Sequence, residues 1–342
     1  MKKLIKPALI LLLALSANAQ AAGTLSLYNW FEYMPKSLLD KFSEEYDVAV
    51  TTDTFDSNEA MLASLKAGKL GSYDLAVPGD YMVKIMANEG MLDTFKPEEL
   101  SNFSNISKQW LDVSFDPGRK SSIPYQWGST SFSVNRDIYK GSIDSLSVIF
   151  NPPEELKGKI NVLDTAGETL TLASVYLGIP QCSTDREQLK SLSNLVNTAK
   201  KDWASFGSDV AKDVLVSGDV TAGMIWSGFS AKARAEGANV EYAFPKEGFI
   251  VWMDNLVLLK DAPNRENALK FMNFLLEPEN AAELSNFAKY SPGVDNTEPF
   301  LLAEVKDSPE ANPPKGSKGV FVETCSQEVQ EMYNAIWTRL KK

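Results

Sequence analysis

From residue 24 onward, stretches that alternate apolar and polar residues are interleaved with stretches of helical period. TLSLYNW (24–30) alternates like a strand. Pro35 then opens a helix that places Leu38, Leu39, Phe42 and Tyr46 on one face. VAVTTDTF (48–55) reads as a second strand. Ser57 or Asn58 can cap the next helix, which carries Met61, Leu62 and Leu65. YDLAVPG (73–79) reads as a buried strand ending in a turn, and a helix runs from near Asp80 to Gly90. This β-α-β-α-β order predicts a mostly parallel sheet with helices on its faces, an α/β fold. KINVLD (159–164), TAGMIW (221–226) and FIVWMDNLVLL (249–259) add strands, the last broken by a charge at Asp254. Residues 185–202 and a pair over 264–288, split at Pro278, add helices. Residues 308–318 read as a loop. A final helix carries Val329, Met332, Tyr333, Ile336, Trp337 and Leu340 on one face.

The first 21 residues do not fit this pattern. Lys2, Lys3 and Lys6 precede an apolar run from Ala8 to Leu15, and Ala17, Ala19 and Ala21 follow at alternate positions. These are the three parts of a secretory signal, with cleavage expected after Ala21. The run is shorter than the roughly 20 residues a membrane span needs, and no cysteine follows the cleavage site to carry a lipid. The expected location is the periplasm. Removing the three lysines of this segment from a net charge of −11 leaves −14. Such an acidic chain disfavours nucleic acid and anionic lipid and suits cationic ligands.

Histidine is absent. That removes the usual general base near neutral pH, the commonest metal ligand and every Ser-His or Cys-His mechanism. No cofactor motif is present, and none is expected. The two cysteines, Cys182 and Cys325, either pair in an oxidising compartment or remain buried thiols.

In α/β sheets, ligands bind beyond the carboxyl ends of the strands. Five such ends carry an aromatic residue, a carboxylate or both: Trp30-Phe31-Glu32-Tyr33, Asp80-Tyr81, Asp164 to Glu168, Trp226, and Trp252 with Asp254. Aromatic walls with carboxylates suit a linear polyamine. The methylenes want apolar faces, and each ammonium wants an anion and can sit over a ring, at roughly 0.5–2 kcal/mol per contact.

The segments YNWFEYMP, YDLAVPGDYMV, SNFSNIS, SIPYQWG, GMIWSG and PKEGFIVWMDNL resemble, in order and along nearly the whole mature chain, those of the periplasmic spermidine/putrescine-binding proteins. These are the substrate-binding components of polyamine ABC importers. The resemblance implies a two-lobed periplasmic-binding-protein fold (type II-like) with a hinge that closes on the ligand. Lobe one would comprise 22–130 plus 254–298, and lobe two 131–253 plus 299–342. Both cysteines would then lie in lobe two, which favours pairing. The ligand contacts implied are Trp30, Phe31, Glu32, Tyr33, Tyr81, Glu168, Trp226, Trp252, Asp254 and Tyr290. The chain departs from the pattern at Gly79, where a serine is usual, at Thr165, where the spermidine binders have an acid, and at Glu323, where they have an amide. Asp80 and Glu323 are candidates for further ammonium contacts.

The function implied is capture of spermidine, putrescine or an analogue by a monomer that delivers it to a membrane permease. The alternative is delivery to a membrane-bound sensor. Two rivals lack support. Asp53, Asp56, Asn58 and Glu59 miss the glycine and spacing of a calcium loop. Asp164 and Glu168 could pair as in a glycosidase, but nothing else suggests a reacting centre. An amino-acid ligand would need a cation for its carboxylate, and no strand-end cluster holds one.

Overall fold

The computed structural model describes residues 23–342, so the expected signal segment lies outside the described residues. Alternation along β1 (Gly23–Trp30) sends Leu25 and Leu27 into one core and Tyr28 into another on the opposite face. β1 pairs in parallel with β2 (Val48–Phe55) and β3 (Leu75–Ala76). The helix Lys36–Tyr46 buries Leu38 and Phe42, and the Phe42 ring meets Phe271 and Phe274 at 4.9 and 5.4 Å. Ser57 caps the helix Asn58–Ser64 by accepting from Ala60 N at 3.1 Å. The stretch 73–79 pairs as a strand only at Leu75 and Ala76. Asp74 turns its carboxylate to the N–H groups of Ser26 and Asn264, and Pro78 has no N–H to offer a ladder.

The remaining strands are β4 (Ser122–Asn135), β5 (Ile160–Val162), β6 (Ser205–Phe206), β7 (Ala222–Trp226), β8 (Val240–Tyr242), β9 (Phe249–Leu258), β10 (Ser291–Pro292) and β11 (Gly319–Val320). One continuous sheet has the order β2-β1-β3-β9-β4-β7-β5-β6, with β8 and β10 on β4 and β11 on β9. Each end of the sheet is parallel, as expected from the alternating elements. The long pair β4–β9 is antiparallel and joins the two ends. β4 escapes pattern reading because Pro124, Gly128 and a run of serines hide its alternation.

The fold is a two-lobed α/β architecture. One lobe packs its cores from residues between 25 and 125 and between 256 and 294. The other draws on residues between 132 and 250 plus Leu340. Trp226 and Trp252 touch cores of both lobes. The last helix, Gln327–Lys341, lays Tyr333, Ile336, Trp337 and Leu340 on the second lobe.

Cys182 and Cys325 form a disulfide across 143 residues of chain. It ties the turn after the helix Ala166–Leu177 to the segment just before the last helix. Closing so long a loop removes entropy from the unfolded chain, typically about 2–4 kcal/mol. Replacing both cysteines by alanine should lower the unfolding free energy by about that amount. Hydrogen exchange should quicken first in 321–341, and an unchanged denaturation midpoint would show the bond to be energetically idle.

Candidate ligand-binding site

Where the lobes meet, a cleft is lined by aromatic and acidic side chains. Ten of the residues expected from sequence line it: Trp30, Phe31, Tyr33, Asp80, Tyr81, Glu168, Trp226, Trp252, Asp254 and Tyr290. Asn58, Gly79, Asp209, Phe229, Ile250 and Val322 complete the lining.

The aromatic walls are held by specific contacts. Trp30 donates its indole N–H to Val77 O at 2.8 Å and meets Trp226 edge-on at 5.9 Å. Tyr290 packs against Trp252 at 5.0 Å and Tyr33 at 5.5 Å. Two glycines make this packing possible. A Cβ at Gly128 would come within 2.8 Å of both Trp252 and Tyr290, and one at Gly228 within 2.4 Å of Tyr290. Sequence reading overlooked both glycines, because the rings that need the space come from distant segments.

Glu168 organises two of the walls. Its carboxylate accepts from Trp226 Nε1 at 3.2 Å to each oxygen, from Thr165 Oγ1 at 2.8 Å and from the Thr130 hydroxyl. Thr130 in turn accepts from Trp252 Nε1 at 2.9 Å. Thr165, noted as the loss of an acid, therefore supports the neighbouring one. A carboxylate has about four lone-pair positions, and the shared Trp226 N–H is the one of these contacts that a ligand ammonium could displace from one oxygen. Asp164 faces elsewhere and pairs with Lys341 at 2.7 Å, so the two acids do not form a pair across a common substrate.

Asp254 is buried inside β9, opposite a bulge where β4 skips from Pro124 to Gln126. Behind it, the buried Arg119 donates to Asn255 Oδ1 at 2.6 Å and Ser122 Oγ at 3.1 Å, and Asn255 Nδ2 donates to Met253 O at 2.8 Å. These bonds fix the backbone on both sides of Asp254. Arg119 was not singled out from sequence, since a lone arginine in a loop carries no signal. Asp80 begins the helix Asp80–Asn88, and its carboxylate accepts from Tyr81 N at 2.7 Å and Met253 N at 3.3 Å.

The electrostatics are one-sided. Burial pushes Asp80 up to about 7, against the pull of its two backbone N–H donors. Burial also raises Asp254 well above the usual carboxylate range, with the Tyr33 hydroxyl opposing and the charges of Asp80 and Glu168 adding to the rise. Glu168 and Glu59 are raised mainly by burial as well. Among the described residues no lysine or arginine is a leading influence on any of these four groups. The Tyr33 hydroxyl lies beside Asp254 without a well-formed hydrogen bond. Asp209 is pushed up to about 6 by burial and by its neighbour Asp56. Among the described residues no acidic cluster has the geometry to hold a metal ion. Asp53, Asn58 and Glu59 are instead engaged with Tyr73, Gly79 N and Tyr81.

Two expected residues stand outside the cleft. Glu32 has a left-handed backbone, φ 49°, which turns its side chain out between Phe31 and Tyr33. It pairs with Lys232 at 3.6 Å. Glu323 lies one residue past the cleft-lining Val322 and lines a neighbouring cavity, which Tyr81 and Val322 also border.

Comparison with known proteins agrees with this architecture. A family model described as bacterial extracellular solute-binding protein matches residues 37–313. The spermidine/putrescine-binding periplasmic protein of Escherichia coli K12 is 38% identical, over 80% of this chain and 79% of that one. A putrescine/cadaverine-binding protein of Pseudomonas aeruginosa is 31% identical, over 100% of this chain and 99% of that one. A solved chain from Listeria monocytogenes has a TM-score of 0.87 at 30% identity, covering 93% of this chain and 98% of that one. With a family model spanning most of the chain, a shared two-lobed fold and relatives matched over most of their length, the chain belongs to the bacterial extracellular solute-binding proteins, and among them to the periplasmic spermidine/putrescine-binding family.

Proposed function

We propose that this protein captures a linear polyamine between its two lobes, without chemical change, and passes it to the permease of an ABC importer. The observation that carries the reading is the set of carboxylates, buried Asp80 and Asp254 and half-buried Glu168, facing aromatic walls with no lysine or arginine of the described residues as a leading influence on them. Buried anions without partners are costly. A ligand that brings ammonium groups on an apolar stem relieves that cost at each of them. In this reading Asp254 is the main anchor, Asp80 supports it, Glu168 receives a second ammonium, and Trp30, Trp226, Trp252, Tyr33 and Tyr290 wall the stem. Lobe boundaries near residues 130, 254 and 298 are supported by the division of the cores. Among the described residues no helix is long and apolar enough to cross a membrane. Periplasmic residence follows from the signal segment and the relatives.

Titration calorimetry of the mature chain with putrescine, cadaverine and spermidine, and with amino acids as controls, tests the reading. Heat and a thermal shift are expected with amines only, and no response to any amine would sink it. Asp254→Asn should weaken the best ligand at least thirtyfold, the low end of the 2–5 kcal/mol for unpairing a buried charge. The same variant should raise the melting temperature of the empty protein most at alkaline pH, where the parent loses the Asp254 proton and carries a repelled buried charge. Undiminished affinity would remove Asp254 as the anchor.

Protonation gives a second test. Folded Asp80 holds its proton to about pH 7, whereas its ordinary value is 3.8. The held proton thus stabilises the empty protein fully below pH 3.8, and this contribution is lost as pH rises to about 7. Ammonium binding needs the anion, so its dependence has the opposite sign. Affinity should rise between pH 6 and 8, with proton release on binding seen as a buffer-dependent heat near pH 6.5. Asp80→Asn should flatten that rise, and an unaltered pH profile in this variant would exclude Asp80.

A further inference from the structure

Beside the cleft, the two lobes meet on a carboxylate that does not line it. Glu59 lies in the first turn of the helix Asn58–Ser64, whose Met61 packs in a core of lobe one. Its Oε1 accepts from the Tyr81 hydroxyl at 3.0 Å. Across the lobe boundary, Gly167 lies in the first turn of the helix Ala166–Leu177, whose Leu170 packs in the core of lobe two. The Gly167 N–H lowers the proton affinity of Glu59, against the rise caused by burial. A carboxylate is favoured at such a helix start. A Cβ on Gly167 would come within 3.3 Å of both Glu59 Oε1 and the Tyr81 hydroxyl oxygen. Gly167 has no left-handed φ, so its bare backbone serves the close approach of the lobes and not a turn. Lys66, which borders the same neighbouring cavity, is taken up by Glu89 at 2.7 Å. A second cross-lobe contact ends on the same tyrosine: the Thr324 hydroxyl donates to Tyr81 O at 3.3 Å.

We infer that Glu59 is a positioning residue for capture: it seats lobe one on the first turn of the lobe-two helix that carries Glu168, so that closing the lobes and setting Tyr81 and Glu168 around the ligand are one event. The inference rests on the polyamine reading above and adds to it a residue that holds the closed form from outside the cleft. Both partners of the seat adjoin the ligand space, since Tyr81 lines the cleft and Gly167 is followed by Glu168, which also lines it. Glu59 acts electrostatically on Glu168 as well, so the seated carboxylate makes that part of the cleft more attractive to an ammonium. The seat joins the lobes only once they have closed, and a ligand leaves only when they part. Glu59 therefore governs release more than entry.

Stopped-flow mixing of the mature chain with putrescine and, separately, spermidine tests this, read by tryptophan fluorescence because Trp30, Trp226 and Trp252 line the cleft. The proteins are the parent, Glu59→Ala, Glu59→Gln, Gly167→Ala and the variant that combines Glu59→Ala with Gly167→Ala. Glu59→Ala should raise the dissociation rate at least about tenfold and leave the association rate within about twofold. Glu59→Gln, which keeps an acceptor without the charge, should raise it less, and it serves with Gly167→Ala if the first variant fails to fold. Gly167→Ala should raise the dissociation rate at least about threefold, yet the empty protein should melt no lower than the parent, because alanine favours a helix over glycine. In the combined variant the added methyl gains room where the carboxylate was, so the joint effect should fall short of the product of the two. Dissociation rates within about twofold of the parent's in both single variants overturn the inference. So does a Gly167→Ala variant that loses melting temperature in step with affinity, or a combined variant whose effects multiply, the results for residues that only pack. A parent that responds to neither amine overturns the polyamine reading itself, whereas a parent that binds while its variants release normally overturns only the role given to Glu59.

Discussion

Negative charge buried without a counter-ion is the constraint from which the rest of this structure follows. Asp254 sits inside a strand, walled by Tyr33, Trp252 and Tyr290, with Asp80 and Glu168 near enough to raise its proton affinity further. A protein gains nothing in stability from such an arrangement. It persists because two separately packed lobes, a long disulfide and a continuous sheet supply the folding energy elsewhere. The unsatisfied charge becomes useful only when a cation arrives, and this couples ligand affinity to the cost carried by the empty form.

The scaffold holds that charge in place with little freedom. β4 and β9 run through both lobes, and the bulge between Pro124 and Gln126 sets the register at Asp254. Arg119 fixes the backbone behind it through Asn255 and Ser122. A hydrogen-bonded chain from Trp252 through Thr130 to Glu168, joined by Trp226, orients two indoles with one carboxylate. The walls and the anions are thus parts of one network, and a change in one acid alters the ring geometry as well as the charge.

Much of this was legible before any coordinates. The alternation of β1 and β2, the Ser57 cap and the helix pair split at Pro278 are local, and each follows from side chains close in sequence. The aromatic and acidic residues at the ends of the parallel strands pointed to a single cleft, because such strands direct those ends the same way, whereas Trp252 and Asp254 reach it from the middle of the antiparallel β9. β4 was not legible, since its proline, glycine and serines carry no alternating signal. Nor were Gly128 and Gly228, whose ring neighbours lie 62 or more residues away, or Arg119, whose partner Asn255 lies 136 residues away.

The sequence by itself determined that the chain is an acidic, histidine-free α/β protein whose strand ends carry aromatic rings and carboxylates. Periodicity, composition and capping are properties of neighbouring residues. Only the tertiary structure decided which of those residues face the ligand space. A left-handed turn sends Glu32 outward to Lys232, and Glu323 borders a neighbouring cavity and not the cleft. The physical reason is that a charge's role depends on what lies within a few ångströms of it, and folding brings those neighbours from segments far apart in the chain.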